Sequence, residues 1–245
     1  MKNYRLELCY DGTKYNGWQK LGSTENTIQN RVEQTLSRLL SQEVSVSASG
    51  RTDAGVHARK QVCSFACTTE MTCDEMLHGL RAYLPQDIGA LSLCQAEERF
   101  HARYCCKAKT YVYRVRTDDS PAVFERNYFY RYPGTFDIAA MRQAADLLCG
   151  RHDFAAFTTA KKQKKSTERT IFSIDLLEEE HELRLIFTGD GFLYNMVRIM
   201  AGTLLEVGSG KRRADDIPVI FASGKRENAG FTAPACGLTL WEIQY

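Results

Sequence analysis

Asp53 stands in the stretch Gly50-Arg51-Thr52-Asp53-Ala54-Gly55-Val56-His57-Ala58, with a cation two residues before it and an imidazole four residues after it. A carboxylate in that setting is a candidate general base or covalent nucleophile. The plain alternative is a turn in which Asp53 bonds its own backbone. Gly50 and Gly55 suit a tight loop, since each can take a positive φ or let another backbone approach closely. Elsewhere the chain holds partners for a working carboxylate. Asn195 and Arg198, spaced i, i+3, share a face of an otherwise apolar segment. An arginine there is costly unless paired. Either its stem carries the guanidinium out to solvent, or it meets a carboxylate, for which Asp53 is the obvious candidate. Tyr111 shares a face with Lys109 and Tyr113 on an alternating segment. Its ring is either ordinary sheet packing or a platform for a planar substrate.

Charge distribution narrows the substrate class. The net charge is only +2, but residues 99–116 carry Arg99, Arg103, Lys107, Lys109, Arg114 and Arg116 and no acid. Phe100, Tyr104, Tyr111 and Tyr113 are interleaved among them. Phosphate neutralisation with base stacking calls for this mixture. A second cluster, Lys161-Lys162-Gln163-Lys164-Lys165, is either a solvated run or a further grip on a polyanion. The acids gather elsewhere, as at Glu178-Glu179-Glu180. The N-terminus has no apolar stretch of the secretory kind, and no run approaches the roughly 18 apolar residues of a membrane helix, so a cytoplasmic protein is expected. The nine cysteines include no Cys-x-x-Cys pair and no matching pair of histidines, which predicts reduced thiols and no zinc site.

The elements that must position these residues follow from periodicity. Residues 4–10 alternate as a strand. Residues 11–19 form a loop whose aromatics either reach a ligand or pin the loop. Asn26-Thr27-Ile28-Gln29 resembles a capping box, and Ile28, Val32, Leu36, Leu39 and Leu40 give the following helix its apolar face to about residue 41. Strands at 44–47 and 62–65 flank the Asp53 loop. Asp74 is the expected cap of a helix carrying Met76, Leu77, Leu80 and Leu84 and stopped by Pro85. Residues 88–96 are a buried strand. The order then repeats: a strand over 109–116, a helix capped by Asp137 with Gly150 beyond its end, strands over 171–177 and 182–187, a long apolar helix over 192–207, and a strand over 238–243. A short helix is expected near 215–223. Each half thus reads β-α-β-β-α-β, the ferredoxin-like (RRM-like) order. The expected class is α+β, with halves at 1–103 and 104–245 forming a large mixed sheet, helices on one face and an RNA-binding cleft on the other.

The stretch at 50–58 resembles the signature of the TruA family of tRNA pseudouridine synthases. Other motifs resemble that family in its own order: Tyr10-Asp11-Gly12-Thr13, Gly17-Trp18-Gln19, Leu84-Pro85-x-Asp87, Phe100-His101-Ala102-Arg103, Lys109-x-Tyr111-x-Tyr113, His152-Asp153-Phe154, Phe192-Leu193-Tyr194-x-Met196-Val197-Arg198 and Ala235-x-Gly237-Leu238. The resemblance runs from Tyr10 to the C-terminus. It implies an isomerase that turns a uridine of the tRNA anticodon stem-loop, around positions 38 to 40, into pseudouridine. The base leaves C1′, rotates and rejoins through C5.

By the same resemblance Asp53 is the essential carboxylate. Tyr111 stacks on the target base and is a candidate acceptor of the C5 proton. Arg198 is the basic partner of the carboxylate, and Leu238 lies under the base. Arg51 binds backbone and helps open the helix. His57, His101, Arg103, Lys109 and the lysines at 161, 162, 164 and 165 are candidate RNA contacts. Whether the carboxylate attacks C1′ or removes the 2′ hydrogen stays open. The resemblance implies a homodimer, with tRNA as partner and neither cofactor nor metal. Two alternatives remain. A tRNA-binding or tRNA-folding protein without catalysis would keep the basic aromatic strand but has no need of Asp53, Tyr111 and Arg198 together. A paralogue acting on other uridines is the second, because residues 158–170 are unusually rich in lysine.

Overall fold

The structure is a computed structural model that describes residues 1–160 and 166–245. Lys161, Lys162, Lys164 and Lys165 therefore lie outside the described residues. The chain forms two compact units, Met1–Lys107 with Leu240–Tyr245, and Ala108–Thr239.

In the first unit β1 (Lys2–Tyr10) buries Tyr4, Leu6, Leu8 and Tyr10 on one face, as the alternation predicts. The helix α1 (Ile28–Leu40) begins one residue later than expected. Thr27, extended at φ −129°, is the cap, and its hydroxyl accepts from the Asn30 N–H. The Asn26 amide instead donates to the Lys14 carbonyl. Ser41, left-handed at φ 52°, ends the helix.

The strand expected at 44–47 shrinks to β2 (Ser47–Ala48); Val44 and Val46 are buried without joining it. β3 (His57–Cys67) starts at the last residues of the Asp53 stretch, earlier than expected, and runs antiparallel to β1 from Tyr10↔Ala58 to Lys2↔Cys67. The helix α2 (Cys73–Tyr83) is capped by Thr72 rather than Asp74. The Thr72 hydroxyl accepts from the Glu75 N–H, and the Glu75 carboxylate accepts from the Thr72 N–H, a complete capping box. Asp74 falls in the first turn, where its charge favours the helix dipole. β4 (Ile88–Gln95) follows Pro85 and pairs antiparallel with β1.

The second unit opens with β5 (Ala108–Arg116), joined by the short parallel strand β6 (Tyr130–Arg131). The helix α3 (Ile138–Leu148) is capped by Asp137, with Gly150 at φ 100° just beyond it, both as expected. Then come β7 (Gly150–Asp153), β8 (Glu168–Glu178) and β9 (Glu182–Gly189). β9 buries Leu183, Leu185, Phe187 and Gly189 on alternate positions, so one face of this sheet is well covered. The helix α4 (Met196–Gly208) starts four residues later than the apolar run suggests, because Asn195 stands before it at φ 61°. The helix α5 (Asp216–Ser223) follows. β10 (Leu238–Gln244) leads back into the first unit, where it lies beside β3.

The first unit's strands run β4-β1-β3, with β2 also on β3. This is the ferredoxin-like order of fourth, first, third, second. In the second unit β5-β9-β8 repeats first, third, second, and β7 adds an edge. In the first unit α1 packs on α2 and α2 on β4; in the second α3 packs on β8, α4 and α5.

Candidate active site

In the first unit the Asp53 loop is clamped by two sets of contacts. The segment 11–19 lies against it. The Trp18 N–H donates to the Thr52 carbonyl at 3.0 Å and the Gly55 N–H to the Tyr15 carbonyl at 3.3 Å. A Cβ on Gly12 would sit 2.0 Å from the Val56 carbonyl oxygen, and one on Gly17, at φ 90°, 2.8 Å from that of Thr52. Both glycines let backbone touch backbone. The aromatics of 11–19 pin the loop. Trp18 and Tyr15 are buried, and the Tyr15 hydroxyl donates to Asp87. Burial, and then the Asp87 carboxylate, raise the Tyr15 pKa, so the phenol remains a donor. The Asp11 N–H also donates to the Asp87 carbonyl.

The second clamp is a buried polar network on β1 and β3. Gln61, fully buried, donates to the Gly50 carbonyl at 2.8 Å and to the Tyr10 hydroxyl at 3.4 Å, and accepts from the Ser49 hydroxyl at 2.7 Å. The Tyr10 hydroxyl and Thr52 Oγ1 are 2.8 Å apart. Gly50 and Thr52, on either side of Arg51, are thereby fixed. Gly55 takes φ 78°, as a tight turn requires, and the Val56 N–H closes that turn on the Asp53 carbonyl at 3.1 Å. Asp53 is half-buried and Arg51 exposed.

His57 is buried. Its Nδ1 accepts from the Gly12 N–H at 3.1 Å and lies 3.1 Å from an Asp11 carboxylate oxygen. An Nδ1 that accepts carries no proton, so in that tautomer the nearby carboxylate is not its acceptor. The Asp11 oxygen takes the Thr13 N–H at 2.9 Å.

His101 and Arg103 belong to a turn held by Ala102. The Ala102 N–H donates to the Ser64 hydroxyl, and the Ala102 carbonyl accepts from the Tyr245 hydroxyl. His101 Nδ1 accepts from the Arg103 N–H, and its ring lies against the exposed ring of Tyr104. Arg103 itself is exposed.

In the second unit Tyr111 is buried on β5, with Phe192 edge-on at 5.2 Å between centroids. Lys109, on the same face, is half-buried. Adjacent carbonyls of the segment before β10 tie β5 to α4. The Tyr113 hydroxyl donates to Pro234 at 2.9 Å, and Arg198 Nε donates to Ala233 at 2.7 Å. Burial raises the Tyr113 pKa, which keeps that donor in place. Arg198 Nη1 donates to Asn195 Oδ1 at 2.8 Å. Two of the guanidinium's donors are therefore tied to neighbours within the unit, and the half-buried side chain does not run freely out to solvent. Leu238, buried, starts β10 four residues after Pro234.

The basic stretch at 99–116 is less uniform than its sequence. Arg114 makes a two-pronged pair with Glu182 at 2.8 and 2.7 Å, and Arg116 pairs with Asp118. Those two cations are already matched by acids, so the phosphate-binding reading of the stretch is corrected for them. Of the clamp residues, Gln61 alone carries no signal in the sequence, while Tyr10, Thr52 and Asp87 stand in the family-like motifs without a role there. The partners Tyr10–Thr52 and Tyr15–Asp87 lie 42 and 72 residues apart, which local pattern does not show. Among the described residues no cluster of three or more His, Cys, Asp or Glu could hold a metal ion.

The family described as tRNA pseudouridine synthase matches residues 9–105 and 144–245, which include Asp53 and Arg198 but not Tyr111. Full-length relatives cover the intervening part. The chain is 42% identical over 245 residues to tRNA pseudouridine synthase A of Bacillus sp. (strain KSM-64), spanning 100% of both. Bacillus cereus (strain ATCC 10987 / NRS 248) has two relatives. One, tRNA pseudouridine synthase A 1, is 43% identical over 246 residues, 100% of this chain and 99% of that one. The other, tRNA pseudouridine synthase A 2, is 38% identical over 245 residues and 100% of each. With the clamped Gly50–Ala58 loop in place and similarity running from end to end, the chain belongs to the tRNA pseudouridine synthase family.

Proposed function

We propose that this protein isomerises uridine to pseudouridine in tRNA, at the anticodon stem-loop around positions 38 to 40. The observation that carries the reading is the end-to-end similarity to proteins named tRNA pseudouridine synthase A. The chemistry asks for few groups. The C1′–N1 bond breaks, the base turns, a C1′–C5 bond forms, C5 loses a proton and N1 gains one. No electrons are transferred, so the reaction needs no redox cofactor. Positive character builds at C1′, and the Asp53 carboxylate stabilises it, either as a nucleophile on C1′ or as a base on the 2′ hydrogen. Arg198 serves as basic partner to that carboxylate in turnover. Tyr111 stacks on the flipped base and Leu238 lies beneath it; flipping costs a few kcal/mol, which stacking and phosphate contacts offset.

The proposed RNA contacts are Arg51, His101, Arg103, Lys109 and the lysines at 161, 162, 164 and 165. Of the original candidates, buried His57 serves by holding the loop through Gly12 rather than by touching RNA. We further propose a homodimer in the cytoplasm. A symmetric dimer doubles the basic surface and gives two equivalent sites for an L-shaped tRNA.

A paralogue with different target uridines is the second reading, favoured by the two relatives in one Bacillus cereus strain. Incubation of the purified protein with unmodified tRNA, followed by mapping of pseudouridine position by position, tests both. Modification at 38 to 40 supports the proposal, and modification elsewhere supports the paralogue. Tight tRNA binding with no pseudouridine at any position returns the protein to a binding or folding role.

A further inference from the structure

We infer that Asn195 is a positioning residue for the Arg198 guanidinium, braced by Thr159; this rests on the role proposed for Arg198 above. Asn195 takes φ 61°, and among the described residues Ser41 alone shares a positive φ without being glycine. Asparagine tolerates that region better than most residues, but glycine serves the backbone at least as well. The backbone alone therefore does not call for an amide. Both ends of the side chain are bonded. Oδ1 accepts from Arg198 Nη1 at 2.8 Å, while Nδ2 donates to Thr159 Oγ1 at 2.7 Å. A guanidinium carries donors only, so Oδ1 must face it and Nδ2 must face away. Thr159 takes the far end of the amide and stops it from turning.

A second tie steadies the brace: the hydroxyl of buried Thr158 donates to the Tyr194 carbonyl at 2.9 Å. Arg198 is held at a second point, since its Nε donates to the Ala233 carbonyl at 2.7 Å. Two fixed points on a planar fork set both its plane and its direction. Ala233 accounts for one of them and Asn195 for the other. Asn195 thus acts through Arg198, at a position the helix α4 itself does not supply, because Asn195 lies just outside it.

The variant Asn195→Gly keeps the positive φ and removes the amide. It is expected to lower kcat for pseudouridine formation by about tenfold to a hundredfold, an effect of the size that lost orientation brings. KM for tRNA should change less than about twofold, and the melting temperature should hold. Thr159→Val should lower kcat severalfold and Thr159→Ser should restore it. A readout independent of activity is the Arg198 Nε–H resonance in 15N-arginine spectra, assigned by its loss in Arg198→Lys. Asn195→Gly should shift or broaden it. An unshifted signal, or kcat within twofold of wild type, overturns the inference. Wild-type protein that forms no pseudouridine overturns the reaction instead, and the resonance still decides whether Asn195 holds the guanidinium.

Discussion

Replacing Tyr10 with Phe removes one oxygen that is bonded to Thr52 Oγ1 and to Gln61. The rings of Tyr10 and Trp18 stay in contact, so the change isolates the polar clamp from the packing. Two buried polar groups lose a partner, and roughly 2 kcal/mol of stability should go with it. The loop at Gly50 and Thr52 loosens, so kcat should fall by about tenfold while tRNA affinity holds. Urea unfolding and steady-state kinetics read the two effects separately; unchanged kcat would remove Tyr10 from the support of Asp53. Glu182 makes a different prediction. Burial raises its pKa, but the bonds from Arg114 and Arg184 outweigh burial and the net direction is down. Its stabilising effect is then complete above the ordinary carboxylate value of 4.5 and lost as pH falls through the lowered one. Glu182→Gln should cost about 2 kcal/mol at pH 7, and the gap to wild type should close in acid. A gap that is constant with pH would contradict the pairing.

At the scale of elements, the glycine segment 11–19 and the Asp53 loop form one object. Gly12→Ala forces a methyl to within 2.0 Å of the Val56 carbonyl, and the loop must move. A loss of about 3 kcal/mol and of most turnover is expected. Gly22→Ala, with nothing within 4 Å, is the control and should stay within about 0.5 kcal/mol. Equal effects from the two would mean that the close approach does not matter.

The elements also show what local pattern can and cannot reveal. The alternation of Tyr4, Leu6, Leu8 and Tyr10 and the Asp137 cap were legible because strand and cap signals are local. Thr27 and Thr72 displaced Asn26 and Asp74 as caps because adjacent polar residues are all good cappers, and only backbone angles choose between them. The start of α4 differs from the expected one because Phe192 to Tyr194 extend the apolar run towards the N-terminus, while the positive φ of Asn195 does not show in composition. The loop around Asp53 was legible as a motif. The reason for Gly12 and Gly17 was not, since the backbone they touch lies some forty residues on.

At the scale of the molecule, β10 belongs mostly with the unit formed by the first 107 residues, so the last residues complete the sheet that carries the Asp53 loop. Two expectations concern assembly and RNA grip. Light scattering at micromolar concentration should give twice the chain's mass, and a single chain's mass would contradict the dimer. A Lys161/Lys162/Lys164/Lys165→Ala variant should bind tRNA with a salt slope shallower by about three, the number expected for some four lost phosphate contacts. An unchanged slope would make the cluster a solvated run.

The central claim is that Asp53 drives uridine isomerisation in tRNA. Because pseudouridine formation expels the hydrogen on C5, tRNA transcripts labelled with tritium at uridine C5 report the reaction directly. With excess enzyme and a single turnover, wild-type protein should release the tritium of each modified uridine. Asp53→Asn should release none above background while binding the same tRNA within a few-fold of wild-type affinity. Tritium release by Asp53→Asn at a rate near that of wild type would contradict the account.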